Sequence, residues 1–123
     1  MPRTIIAIAA IFGLLAVIAG AAGTHALRDT FDADALRTFE TAARFQMYHA
    51  LALLAAGLLA LRWQTRALTI SAALFTLGTI LFSGSLYILA LSGIGIFGAV
   101  APVGGLCLMA GWASLIVATL RPK

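Results

Sequence analysis

The chain has 123 residues, 63% of them hydrophobic, with eight Lys or Arg, four Asp or Glu and a formal charge of +4. Its mean hydropathy is +1.08 and its pI about 10.3. A soluble domain of this size is about a quarter charged. At 10% charged the chain is excluded from ordinary water-soluble enzymes and from disordered regulators. The length allows one domain, residues 1–123.

In chain order, the uncharged run Thr4–Leu27 comes first. It is longer than the ~7–15-residue core of a signal peptide, so it predicts a retained transmembrane helix over 4–26. Arg28–Arg44 is the one long polar stretch and holds all four acids, Asp29, Asp32, Asp34 and Glu40. Within it Phe31, Ala35, Leu36, Phe39, Ala42 and Ala43 recur at helical spacing. Asp32 suits an N-cap, Asp34 the first turn, and Glu40 and Arg44 stand four apart in the favourable order. An amphipathic helix over 32–44 is therefore expected, resting on the bilayer surface and running into the second span.

The second span is read as 45–61. Its strictly apolar part, Ala50–Leu61, is too short to cross alone, so it must recruit Phe45-Gln46-Met47-Tyr48-His49. Arg62–Arg66 is a short polar turn. From Ala67 to Leu120 there is no Asp, Glu, Lys or Arg. That is too long for one crossing at ~20 residues, and it divides into spans at 67–91 and 101–120 around the glycine-rich turn Ser92–Val100. Transmembrane barrels need alternating strands, and Ile5-Ile6-Ala7-Ile8-Ala9-Ala10-Ile11 does not alternate. The fold class is all-α, a four-helix transmembrane bundle with an interfacial helix between the first and second spans.

Four spans put both termini and the Arg62–Arg66 turn on one side. That side carries Arg3, Arg62, Arg66, Arg121 and Lys123 without acids; the other carries Arg28, Arg37 and Arg44 against four acids. The positive-inside rule then predicts cytoplasmic termini. The basic pI sets topology and is no nucleic-acid footprint.

Small residues recur four apart, as at Ala16, Gly20 and Thr24, at Ala19 and Gly23, and at Ala101 and Gly105. Such stripes let membrane helices approach closely. Gly20, Gly23, Gly84, Gly104 and Gly105 are the expected packing glycines, serving either the bundle or a homo-oligomer or larger membrane complex. The uncharged polar residues gather in the outer half: His25, Gln46, Tyr48, His49, Ser83, Ser85 and Tyr87. Three readings stand for that cluster. It hydrogen-bonds helices together; it binds a lipophilic molecule, a lipid or quinone-like ring; or His25 and His49 ligate haem or a metal.

No acid lies within a span, and no Ser/His/Asp set, phosphate loop or HExxH appears. The lone Cys107 forms no intrachain disulfide. No cofactor is predicted, and membrane lipid is the expected partner. The leading expectation is a non-enzymatic accessory or organising protein acting through lipid or protein contacts.

Four ordered motifs carry a resemblance that covers nearly the whole chain. Gly20-Ala21-Ala22-Gly23-Thr24-His25-Ala26-Leu27 is similar to a GAFGAHAL-type helix end. Phe45-Gln46-Met47-Tyr48-His49-Ala50-Leu51-Ala52-Leu53-Leu54 is similar to YQ-x-x-H-x-LALL. Leu77–Tyr87 is similar to LGxxLFSGSLY, and Ala101-Pro102-Val103-Gly104-Gly105 with Gly111-Trp112 to TPxGG…GW. The chain thus resembles domain-of-unknown-function family 423, the YgdD-like small inner-membrane proteins. It departs at Thr24, where the family often has Ala, and at Phe45, where Tyr is usual. The resemblance implies a four-span bacterial plasma-membrane protein and no particular reaction.

Overall fold

The structure is a computed structural model that describes residues 1–63 and 65–121. Gln64, in the expected polar turn, and Lys123, in the terminal charge count, lie outside the described residues. Four helices are long and apolar enough to cross a membrane: α1 (Pro2–His25), α2 (Ala33–Ala60), α3 (Arg66–Ser92) and α4 (Ile96–Leu120). No strand occurs among the described residues.

Each helix begins and ends for a local reason. Pro2 opens α1, where its missing N–H costs nothing. The Asp32 carboxylate accepts from the Ala35 N–H at 2.7 Å and caps α2, as its position predicts. Thr65 caps α3 through the Leu68 N–H at 3.2 Å. Gly93 ends α3 at φ 73°, a left-handed position that a Cβ would strain.

Two boundaries differ from expectation. The residues expected as an interfacial helix, 32–44, are no element of their own. They form the cap and opening turns of α2, which runs unbroken for 28 residues. Hydropathy falls across this stretch, but cap and periodicity continue, and backbone hydrogen bonding follows the latter. The glycine-rich turn shrinks to Gly93–Gly95, and α4 starts at Ile96 with Pro102 inside it. The Glu40–Arg44 pairing is also replaced: the one ion pair among the described residues is Arg37 to Asp34 at 3.0 Å.

α1 packs along α2, α3 along α4, and α2 meets α3 in the middle. Ala9, Leu53, Phe75 and Leu108 bring all four helices into one apolar core. Small residues set the spacing at the seams. A Cβ on Gly57 would lie 2.8 Å from Ile6, one on Gly78 2.7 Å from Leu108, and one on Gly111 2.8 Å from Phe75. At Gly104 a Cβ would run into the α3 backbone at Leu81 and Phe82. There α3 makes one π-helical turn, Ile80–Gly84. Of the expected packing glycines, Gly104 is thus in backbone contact, Gly23 meets Phe39 at 3.3 Å and Gly105 meets Phe82 at 3.7 Å. Gly20 and Gly84 face open space and make no close contact within the bundle.

Candidate functional site

The buried polar residues fall on the inner faces of α2 and α3. Gln46 is 6% exposed; its Nε2 donates to the Phe12 carbonyl of α1 at 2.8 Å. Tyr87 of α3 donates its hydroxyl to Gln46 Oε1 at 2.7 Å. Ser83 donates to the Ala42 carbonyl at 2.8 Å. Gln46 thus ties three helices together, and Phe39 steadies Tyr87 edge-on at 5.1 Å between ring centroids. Each bond satisfies a polar group that hydrocarbon cannot.

One turn further along α2, the Trp112 indole N–H donates to His49 Nε2 at 3.0 Å. Indole nitrogen is a donor only, so Nε2 accepts and the ring is neutral. The proton therefore sits on Nδ1, which donates to the Phe45 carbonyl at 2.8 Å. Phe75 lies edge-on to Trp112, centroids 5.1 Å apart. Both imidazole nitrogens are engaged, so ligation by His49 would require breaking one of these bonds. His25 is exposed at the end of α1. Among the described residues no three His, Cys, Asp or Glu side chains group as metal ligands.

The structure therefore gathers Gln46, Ser83 and Tyr87, with His49 close by on the same helix. Ser85 is buried on α3. Two expected members fall away. His25 is exposed, and Tyr48 is 50% exposed, its ring tilted against Phe45 with centroids 5.6 Å apart. Position along the helix, not polarity, decides this, since Tyr48 points away from the face shared by Gln46 and His49.

The depth of the cluster also changes. Gln46 meets Phe12, near the midpoint of the 24-residue α1. The polar network is centred in the bundle and is not confined to one half. Ser71, bonded to the Gly111 carbonyl at 2.9 Å, lies in the half nearer the termini.

Sequence reasoning missed Trp112 as a hydrogen-bond donor and missed Thr79 altogether. Thr79 is 3% exposed, and its hydroxyl is the one buried side-chain polar atom among the described residues with no hydrogen-bond partner. It sits where α3 enters the π turn, on the wall of a cavity of about 190 Å³ shared with Phe12, Gln46, Ser83, Gly84 and Tyr87. At Ile80 this cavity meets a second of about 380 Å³, lined by Ile5, Ile8, Ala72, Thr76 and Leu77. Together they form a cleft between α1 and α3, to which α2 contributes Gln46. Gly84 faces open space because it lines this cleft.

Comparison with known proteins agrees with a membrane protein. The family described as "Protein of unknown function (DUF423)" matches residues 19–105. The UPF0382 membrane protein SSP2132 of Staphylococcus saprophyticus is 39% identical over 97% of this chain and 98% of its own length. The UPF0382 inner membrane protein YgdD of Escherichia coli K12 is 39% identical over 98% of this chain and 92% of its own. No solved structure matches. The motifs, the four apolar helices and these relatives lead to one conclusion: the chain is a membrane protein belonging to the DUF423 family.

Proposed function

We propose that the protein is a non-enzymatic accessory module of the bacterial plasma membrane that holds a lipophilic molecule in the cleft between α1 and α3. The carrying observation is the Thr79 hydroxyl, buried without a partner in a residue that lines the cleft. An unpaired hydroxyl costs about 1–3 kcal/mol, and a χ1 rotation that turns it into the cleft lets a ligand acceptor remove that cost. Gln46 uses one amide hydrogen on Phe12 and has a second to offer. The wall therefore favours a hydrophobe carrying a carbonyl, as in a lipid ester or a quinone-like ring. The apolar stretch toward Met1 suits its chain. No acid or histidine lines either cavity, which supports binding over catalysis.

Thr79→Val removes the hydroxyl at nearly constant shape. Protein purified in mild detergent and extracted into organic solvent should yield an equimolar lipophilic molecule from the wild type and much less from the variant. Equal recovery from both would end the proposal. The same reading places the termini in the cytoplasm, supported by Arg3, Arg62, Arg66 and Arg121 at one end of the bundle. A terminal alkaline phosphatase fusion should be inactive there; an active fusion would invert the topology.

A further inference from the structure

A second opening lies on the other side of α1, where the polar network plays no part. Ala16, Gly20 and Thr24 of α1 face Glu40, Ala43 and Arg44 of α2 across a notch of about 310 Å³. Thr24 and Glu40 continue into a neighbouring notch of about 250 Å³ that Arg28 and Leu36 also line. Arg28 and Arg44 thus line one groove made of the two adjoining notches, which share Thr24 and Glu40, at the end of the bundle that carries the α1–α2 loop.

The depth of Arg44 is unusual. Ala16, on the same notch, precedes the last residue of α1 by nine positions, or roughly 13 Å of helix. Arg44 therefore lines the notch within the length of a membrane span. An arginine so placed needs a partner or must reach for the interface. Among the described residues neither Arg28 nor Arg44 forms an ion pair; Glu40 lines both notches yet bridges neither.

We propose that this groove binds a membrane phospholipid headgroup, with Arg44 and Arg28 donating to the phosphodiester oxygens. Arginine suits phosphate because its planar fork donates two parallel hydrogen bonds. Beside Arg44 the small residues Ala16, Gly20 and Ala43 leave a shallow apolar track for the start of an acyl chain. That track selects a lipid over a free anion. Glu40 contributes one negative charge against two positive, so the groove suits a headgroup with a single phosphate charge. This site rests on its own observations and stands whether or not the α1–α3 cleft is occupied.

The test is native mass spectrometry of the full chain in detergent with added phosphatidylglycerol. Diacylglycerol of the same chains and inorganic phosphate serve as comparison probes. Wild type should retain phosphatidylglycerol in preference to diacylglycerol, and inorganic phosphate should fail to displace it. Loss of charge-assisted bonds in Arg44→Gln should weaken retention roughly tenfold or more, with a smaller loss in Arg28→Gln. Glu40→Gln should strengthen it. Arg44 lines neither α1–α3 cavity, so its variant reads this groove apart from the cleft. Thermal unfolding of each variant checks the fold. Equal retention of both lipids, displacement by inorganic phosphate, or an unaltered Arg44→Gln that unfolds like wild type would overturn the proposal. If Arg44→Gln fails to fold, the Arg28→Gln and Glu40→Gln pair decides: opposite shifts support the site, and no shift in either refutes it.

Discussion

Gly84 and Gly104 look alike in sequence, each a glycine in an apolar span, but they meet opposite surroundings. A Cβ on Gly104 would lie 2.8 Å from the Leu81 carbonyl carbon and from Phe82 Cα, both backbone atoms that cannot rotate away. Relief requires α4 to draw back from α3 by roughly 1 Å. A gap of that size forfeits up to half of each dispersion contact it opens, and packing is what holds membrane helices together. Overpacking of this kind costs about 1–3 kcal/mol, and the helical preference of Ala over Gly returns at most ~1 kcal/mol. Gly104→Ala should therefore be destabilised by about 1–2 kcal/mol. Gly84→Ala meets nothing within 4 Å and should be neutral or stabilised by up to ~1 kcal/mol. Reversible unfolding in mixed micelles, followed by far-ultraviolet circular dichroism, measures both. Equal stability of the two variants would refute the close α3–α4 approach at the π turn.

Other side chains give separate checks. Gln46→Leu removes bonds to two helices and strands the Tyr87 hydroxyl. At about 0.6 kcal/mol per membrane hydrogen bond plus an unpaired hydroxyl, it should cost roughly 2–4 kcal/mol in the same unfolding assay. Trp112→Phe keeps the ring packing but takes the donor from His49 Nε2. It should cost about 0.6–1.7 kcal/mol and shift the imidazole nitrogen resonances, whereas an unchanged spectrum would contradict the tautomer assigned here. Gly93→Ala forces a Cβ into a left-handed turn and should lose about 1 kcal/mol.

Much of the architecture was legible because hydrocarbon imposes a coarse rule. The charge-free run from Ala67 to Leu120 had to fold as two crossings, and Asp32 marked the start of α2 through its capping chemistry. Hydropathy misplaced the beginning of the second span, since a helix ends where its hydrogen bonds end and not where it turns polar. The polar cluster was visible in part. Gln46, His49, Ser83 and Tyr87 stood out by residue type, but Tyr48 could not be separated from them until its face was known. Thr79 was silent because threonine in a membrane helix ordinarily bonds its own backbone, as Thr76 does to Ala72 at 2.8 Å. Only the π turn and the cavity beside it make its hydroxyl conspicuous. Four-residue spacing points to Gly20, Gly23 and Gly105, whereas the tightest seams use Gly57, Gly78, Gly104 and Gly111, whose partners lie on other helices.

The central claim is that the α1–α3 cleft holds a lipophilic molecule on Thr79. An experimental structure of the protein in a nanodisc of native lipid tests it most directly. The account predicts elongated non-protein density from Thr79 past Ile80 toward Met1, with an acceptor atom within hydrogen-bond distance of Thr79 Oγ1. A closed cleft, or a lone water satisfying Thr79 with no density beyond it, would contradict the account.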